Sequence, residues 1–82
     1  MVELIWTISF NEFFDKKIVY RRTKDGESLK IMFREKVLDE DGDLKEVITW
    51  DSIEFGDEDL DEFIRIIEYI KKERDGRGSL HS

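Results

Sequence analysis

The sequence contains no cysteine and no proline, and alanine and glutamine are missing as well. Without cysteine there is no disulfide, no thiolate nucleophile and no cysteine-ligated metal site, a pattern that suits a reducing compartment. No apolar run approaches the roughly 20 residues that a membrane-spanning helix needs, and no basic-then-apolar leader opens the chain. A soluble, cytoplasmic protein is expected. Histidine occurs once, as His81 near the end, so no serine has an imidazole on a structured element to activate it. There is no glycine-rich phosphate loop. Carboxylates are plentiful, but acid/base work needs one held in a desolvated cleft, and 82 residues leave little room for one. Neither an enzyme nor a resident metal or cofactor is expected.

What the chain has in quantity is charge. Charged residues fill 43% of it, and the wealth of Glu and Lys resembles heat-adapted proteins, as in a hot-environment archaeal or viral source. The net charge of −7 argues against nucleic acid less than its distribution argues for it. Between Lys16 and Lys36, eight cations face only Asp25, Glu27 and Glu35, a balance of +5. Between Asp39 and Glu62, twelve carboxylates face only Lys45, a balance of −11. The molecule therefore has two electrostatic ends, each able to serve its own partner.

One domain is expected over 1–75, with a disordered tail over 76–82. Val2, Leu4, Trp6, Ile8 and Phe10 alternate with mostly polar residues, the period of a half-buried strand. Asn11–Lys16 reads as a connection and Lys17–Thr23 as a second strand. Asp25-Gly26 between β-rich runs signals a hairpin, since a type I′ turn needs positive φ at both central residues. Ser28–Leu38 places Leu29, Ile31, Phe33 and Val37 on one face and Lys30, Met32, Arg34 and Lys36 on the other. An acidic turn over 39–43 leads to a fourth strand over 44–55, with a break near Asp51-Ser52. After Gly56 the period changes: Leu60, Phe63, Ile64, Ile67 and Ile70 fall at helical spacing. Asp57 or Asp59 serves as N-cap, acids fill the first turn, and Lys71, Lys72 and Arg74 the last. The fold class is α+β, a four-stranded antiparallel sheet of two hairpins followed by one C-terminal amphipathic helix. A domain this small buries only about 60% of its unfolded surface, so a homodimer is a natural way to thicken its core.

With Asp25-Gly26 as a two-residue loop, Arg21 faces Lys30, Val19 faces Met32 and Lys17 faces Arg34. Like charges directly opposite on a sheet are destabilising, and a polyanion lying over Lys17, Arg21, Lys30, Arg34 and Lys36 would relieve them. The plainer reading is a solvated face whose cations pair with the acidic segment. The register of the second hairpin stays open. With Leu38 opposite Leu44, Trp50 joins the basic face beside Met32; with an Asp41-Gly42 loop it meets Phe33 in the core. Asp39, Asp41 and Asp43 match the start of a calcium loop, but Leu44 and Trp50 stand where its glycine and bidentate glutamate belong, so a solvated turn is expected. The acids Asp57, Glu58, Asp59 and Asp61 suit a helix N-terminus; the sharper alternative makes them a mimic of nucleic-acid charge that binds a basic protein, as a viral inhibitor would.

Residues 30–70 carry a resemblance. Ile31-Met32-Phe33-Arg34-Glu35, the acidic turn over 39–45 and Ile53-Glu54-Phe55 leading to Leu60, Phe63 and Ile67 are similar to the single-stranded-DNA-binding transcriptional coactivators. The resemblance covers about half the chain and its motifs are short. It implies a strand-strand-strand-strand-helix protomer, a homodimer, and single-stranded DNA held by basic and aromatic side chains. Arg34 matches the arginine of the family's strand motif and Lys45 the lysine after its turn. Two departures stand out: Leu60 where members often carry an aromatic, and an unusually acidic segment after the turn.

The expectation is thus a homodimer that binds single-stranded DNA, or RNA, without sequence preference, in transcription, replication or repair. Its contacts are Lys17, Arg21, Lys30, Arg34, Lys36 and Lys45, with Trp50, and secondarily Tyr20, as stacking surface. The alternatives are the acidic interaction module and a dimeric accessory domain with no ligand of its own.

Overall fold

Four strands follow one another as a meander, β1 (Val2–Ser9), β2 (Phe14–Thr23), β3 (Gly26–Leu38) and β4 (Leu44–Gly56), and α1 (Asp57–His81) closes the chain. The computed structural model describes residues 1–81, and side chains through Gly76. The strands pair antiparallel in one sheet in the order β1-β2-β3-β4, the α+β architecture that the alternating periods predict. From residue 77 on, the expected tail lies outside the residues whose side chains are described. No described helix is long and apolar enough to cross a membrane.

Alternation gives the sheet two unlike faces. On one, apolar rows cross all four strands: Trp6, Ile18, Ile31 and Ile53 in register, then Leu4, Tyr20, Leu29 and Phe55. Helix α1 docks on the corner of this face made by β3 and β4. Phe63 stacks on Phe55 with ring centroids 4.4 Å apart, and Leu60 is 1% exposed. Further along the rows, Trp6 and Ile53 are half exposed. Lys16 Nζ lies over the Phe10 ring at 4.5 Å and the Phe33 ring at 5.2 Å, a cation at the margin of the apolar face.

The first hairpin departs from the expected register. Thr23 pairs with Gly26, so the loop is Lys24-Asp25 rather than Asp25-Gly26. No described residue other than glycine has positive φ, which excludes a type I′ loop at Lys24-Asp25; Gly26 takes the unusual conformation instead, at φ +150°. Asp57 fixes the choice. Its Oδ1 accepts the Glu27 amide at 3.1 Å, and a Cβ on residue 26 would stand 2.9 Å from that oxygen. Only glycine leaves room for the helix start to brace the turn.

The second hairpin starts in the first expected register, takes that of the Asp41-Gly42 loop over residues 34–37, and then leaves both. Leu38 does face Leu44, but two bulges then shift the pairing: Arg34 faces Thr49, and Met32 faces Ser52. Lys45 and Trp50 are the residues left without a partner, as bulges require. The break expected near Asp51-Ser52 is this bulge, and β4 runs through it. The acidic turn is held by its own first residue, since Asp39 Oδ1 accepts the amides of Asp41 and Asp43, each at 2.9 Å. The β1–β2 connection is shorter than expected because Asn11 Oδ1 accepts the Phe13 and Phe14 amides at 2.8 and 2.9 Å, and β2 starts at Phe14.

Candidate nucleic-acid interface

The face opposite the apolar rows carries the basic residues, as alternation predicts. The shifted register changes their neighbours. Arg21 opposes Ser28, Val19 opposes Lys30, Lys17 opposes Met32 and Asp15 opposes Arg34. The like-charge pairs expected between Arg21 and Lys30, and between Lys17 and Arg34, do not form. In their place Lys17 and Lys30 lie on one diagonal and Val19 and Met32 on the other, a checkerboard that separates the cations without a ligand. The need for a polyanion to relieve paired charges therefore falls away, and the case for one rests on what the face presents outward.

Arg34 presents little. Its Nε meets Asp15 Oδ1 at 2.8 Å and its Nη2 meets Oδ2 at 3.0 Å, the two-bonded geometry that makes arginine–carboxylate pairs strong. Asp15 is 1% exposed, and Lys36 Nζ stands 3.9 Å from its Oδ2. Asp15 thus draws two of the six expected basic residues into the framework. Arg21 is held more loosely, by Glu3 at 2.8 Å with both side chains open to solvent.

Lys17 and Lys30 make no ion pair within 4 Å among the described residues. Both line a groove of about 280 Å³, with Arg21, Ile5, Val19 and Met32, and with Glu3, Ser28 and Glu54 completing its walls. Glu54 stands across from Lys30 in register, close enough to moderate it. Over the whole face, Lys17, Arg21, Lys30, Arg34 and Lys36 against Glu3, Asp15 and Glu54 leave +2 on a chain of −7.

The aromatics are elsewhere. Trp50 donates its Nε1–H to Glu35 Oε1 at 2.9 Å, and Glu35 shares the face of Phe33, away from Lys30 and Arg34. Tyr20 lies in the apolar rows, and its hydroxyl donates to Glu27 Oε2 at 2.7 Å. That bond, with the loss of hydration and the repulsion of the Glu27 charge, raises the Tyr20 pKa above its ordinary value. Lys45 sits in the bulge beside the acidic turn, outside the groove. Of the seven residues expected to meet the ligand, the structure brings Lys17, Arg21 and Lys30 together in one groove, ties Arg34 and Lys36 to Asp15, and leaves Lys45 and Trp50 apart.

The four acids of the alternative reading, Asp57, Glu58, Asp59 and Asp61, lie at the start of α1, with Asp57 committed to the Glu27 amide. Sequence reasoning missed Asp15, read as part of a connection, and missed Ile5, Glu3 and Glu54 as groove residues. Ile5 had a signal: it falls out of phase with Leu4, Trp6 and Ile8, and so had to face the other way.

No family model matches the chain, and neither a curated protein nor a solved structure matches it. The likeness to the coactivators rests on the short motifs alone.

Proposed function

We propose that this chain is a non-enzymatic binding module that takes single-stranded nucleic acid across the polar face of its sheet. The observation that carries the reading is the groove in which Lys17 and Lys30, without an ion pair among the described residues, flank the apolar side chains of Val19, Met32 and Ile5. Phosphates meet the two ammonium groups, and sugar and base surfaces meet the apolar floor. Arg21 joins them, since an exposed pair such as its bond to Glu3 is worth only about 0–1 kcal/mol and is readily exchanged for a phosphate. An incoming polyanion is repelled least where the acidic chain turns positive. With no donor fork aimed at base edges, binding is sequence-tolerant. Arg34 and Lys36 serve the framework that holds β2 against β3.

The test is fluorescence anisotropy of a labelled oligo-dT titrated with protein at low and at moderate salt. Binding that weakens steeply as salt rises is the expected result, because released counterions drive such association. Absence of binding at low salt removes the reading.

A further inference from the structure

The protomer has an uncovered interior. Among the described apolar side chains only Leu60 is fully buried. The radius of gyration is 16.8 Å, against about 12 Å for a compact chain of this length. The accessible area is 6929 Å², against about 5,200 Å² for a folded monomer of this mass. The surplus is about 1,700 Å² per chain. A specific, stable interface of standard size needs only about 800 Å² a side, whereas two copies each covering this surplus reach about 3,400 Å², inside the range of obligate homodimers.

Two of the exposed apolar surfaces complement each other. The first is the part of the apolar sheet face over β1 and β2, where Leu4, Trp6 and Ile8 stand about half exposed because α1 touches only β3 and β4. The second is the far half of α1, where Ile64, Ile67 and Ile70 continue the stripe of Leu60 and Phe63 past the sheet and are 41–47% exposed. We infer that these two surfaces form an isologous interface with a second copy of this chain, each helix covering the partner's β1–β2 rows. A two-fold axis buries both at once, whereas a foreign partner would have to supply an apolar sheet and an apolar helix together. A protomer with so thin a core also needs its cover whenever it folds, and a second copy is the partner always at hand. The inference is independent of nucleic-acid binding, since Lys17 and Lys30 face the other way.

The test is the solution mass of the whole chain by sedimentation equilibrium, with thermal unfolding followed at several protein concentrations. The expected result is twice the 9.9 kDa of one chain and an unfolding midpoint that rises with concentration. A 9.9 kDa species at micromolar concentration, folded or not, overturns a second copy as the occupant. Neighbours on β1 then locate the interface: Trp6→Glu abolishes the dimer, while Thr7→Glu on the opposite face preserves it. Because Trp6→Glu also burdens folding, Ile67→Glu on the overhanging helix provides the second reading. It touches a side chain that the protomer leaves half exposed, and a dimer of undiminished stability in that variant overturns the assignment of α1.

Discussion

The Arg34 guanidinium grips the Asp15 carboxylate through two parallel bonds, 2.8 Å from Nε to Oδ1 and 3.0 Å from Nη2 to Oδ2. The pair joins β2 to β3 across the face expected to bind a ligand. It turns the arginine that looked most like a phosphate ligand into a strut. Burying a carboxylate this deeply is costly unless it is paired and hydrogen-bonded, and here the guanidinium supplies both.

Removing one member of such a pair leaves the other as an uncompensated charge. Asp15→Asn is therefore expected to cost about 3–5 kcal/mol, read from the midpoint of urea unfolding. The double change Asp15→Leu with Arg34→Met restores much of that stability, because two matched apolar side chains often replace a buried ion pair without penalty. A cost below about 1 kcal/mol in Asp15→Asn would class the pair with solvent-exposed bridges.

Charge reversal at Lys17 or Lys30 acts on binding rather than on folding. Each variant is expected to keep the urea midpoint of the parent and to weaken oligo-dT binding. The dependence of log affinity on log salt becomes shallower by about 0.7 for each phosphate of the single strand that is no longer neutralised. An unchanged slope in both variants would place the ligand elsewhere.

Glu3 works against the ligand. It holds Arg21 at 2.8 Å in an exposed pair, so Glu3→Gln frees the arginine and takes one negative charge out of the groove. Tighter oligo-dT binding is expected, with less than about 1 kcal/mol change in stability. Weaker binding in this variant would make Glu3 a ligand-binding residue rather than a competitor.

Tyr20 adds a pH dependence at the alkaline end. Its hydroxyl donates to Glu27, and giving up that proton would set a phenolate against a carboxylate, so the folded pKa lies above the ordinary value of 10.0. The stability that the neutral phenol contributes is complete below the unfolded pKa and is lost as the pH climbs through the raised folded value. Subtracting the phenolate absorbance of Tyr20→Phe from that of the parent isolates this titration. Glu27→Gln is expected to bring it down towards the ordinary range; no movement would acquit Glu27 as the cause.

Much of this was legible in the alternation. Leu29, Ile31 and Phe33 against Lys30, Met32 and Arg34 told the two faces of β3 apart, and the change of period after Gly56 announced α1. Partners across strands were not legible, for a physical reason. A shift of two residues in a hairpin's register keeps every side chain on its face, so loops at Asp25-Gly26 and at Lys24-Asp25 fit the same pattern. The tie is broken by interactions between residues distant in sequence, the carboxylate of Asp57 on the Glu27 amide and Asp15 beneath Arg34. The bulge at Trp50 showed in the sequence only as a break expected near Asp51-Ser52, because the extra residue is defined only by the strand it faces.

The central claim is that nucleic acid lies on the Lys17–Lys30 face and not on the apolar one, and methyl resonances report on the two faces separately. Ile5, Val19 and Met32 line the groove, whereas Ile18, Ile31 and Ile53 form a row on the opposite side. In a titration with oligo-dT followed by methyl NMR, the account predicts shifts at Ile5, Val19 and Met32 and little change at Ile18, Ile31 and Ile53. Movement of the second group with the first at rest would contradict it.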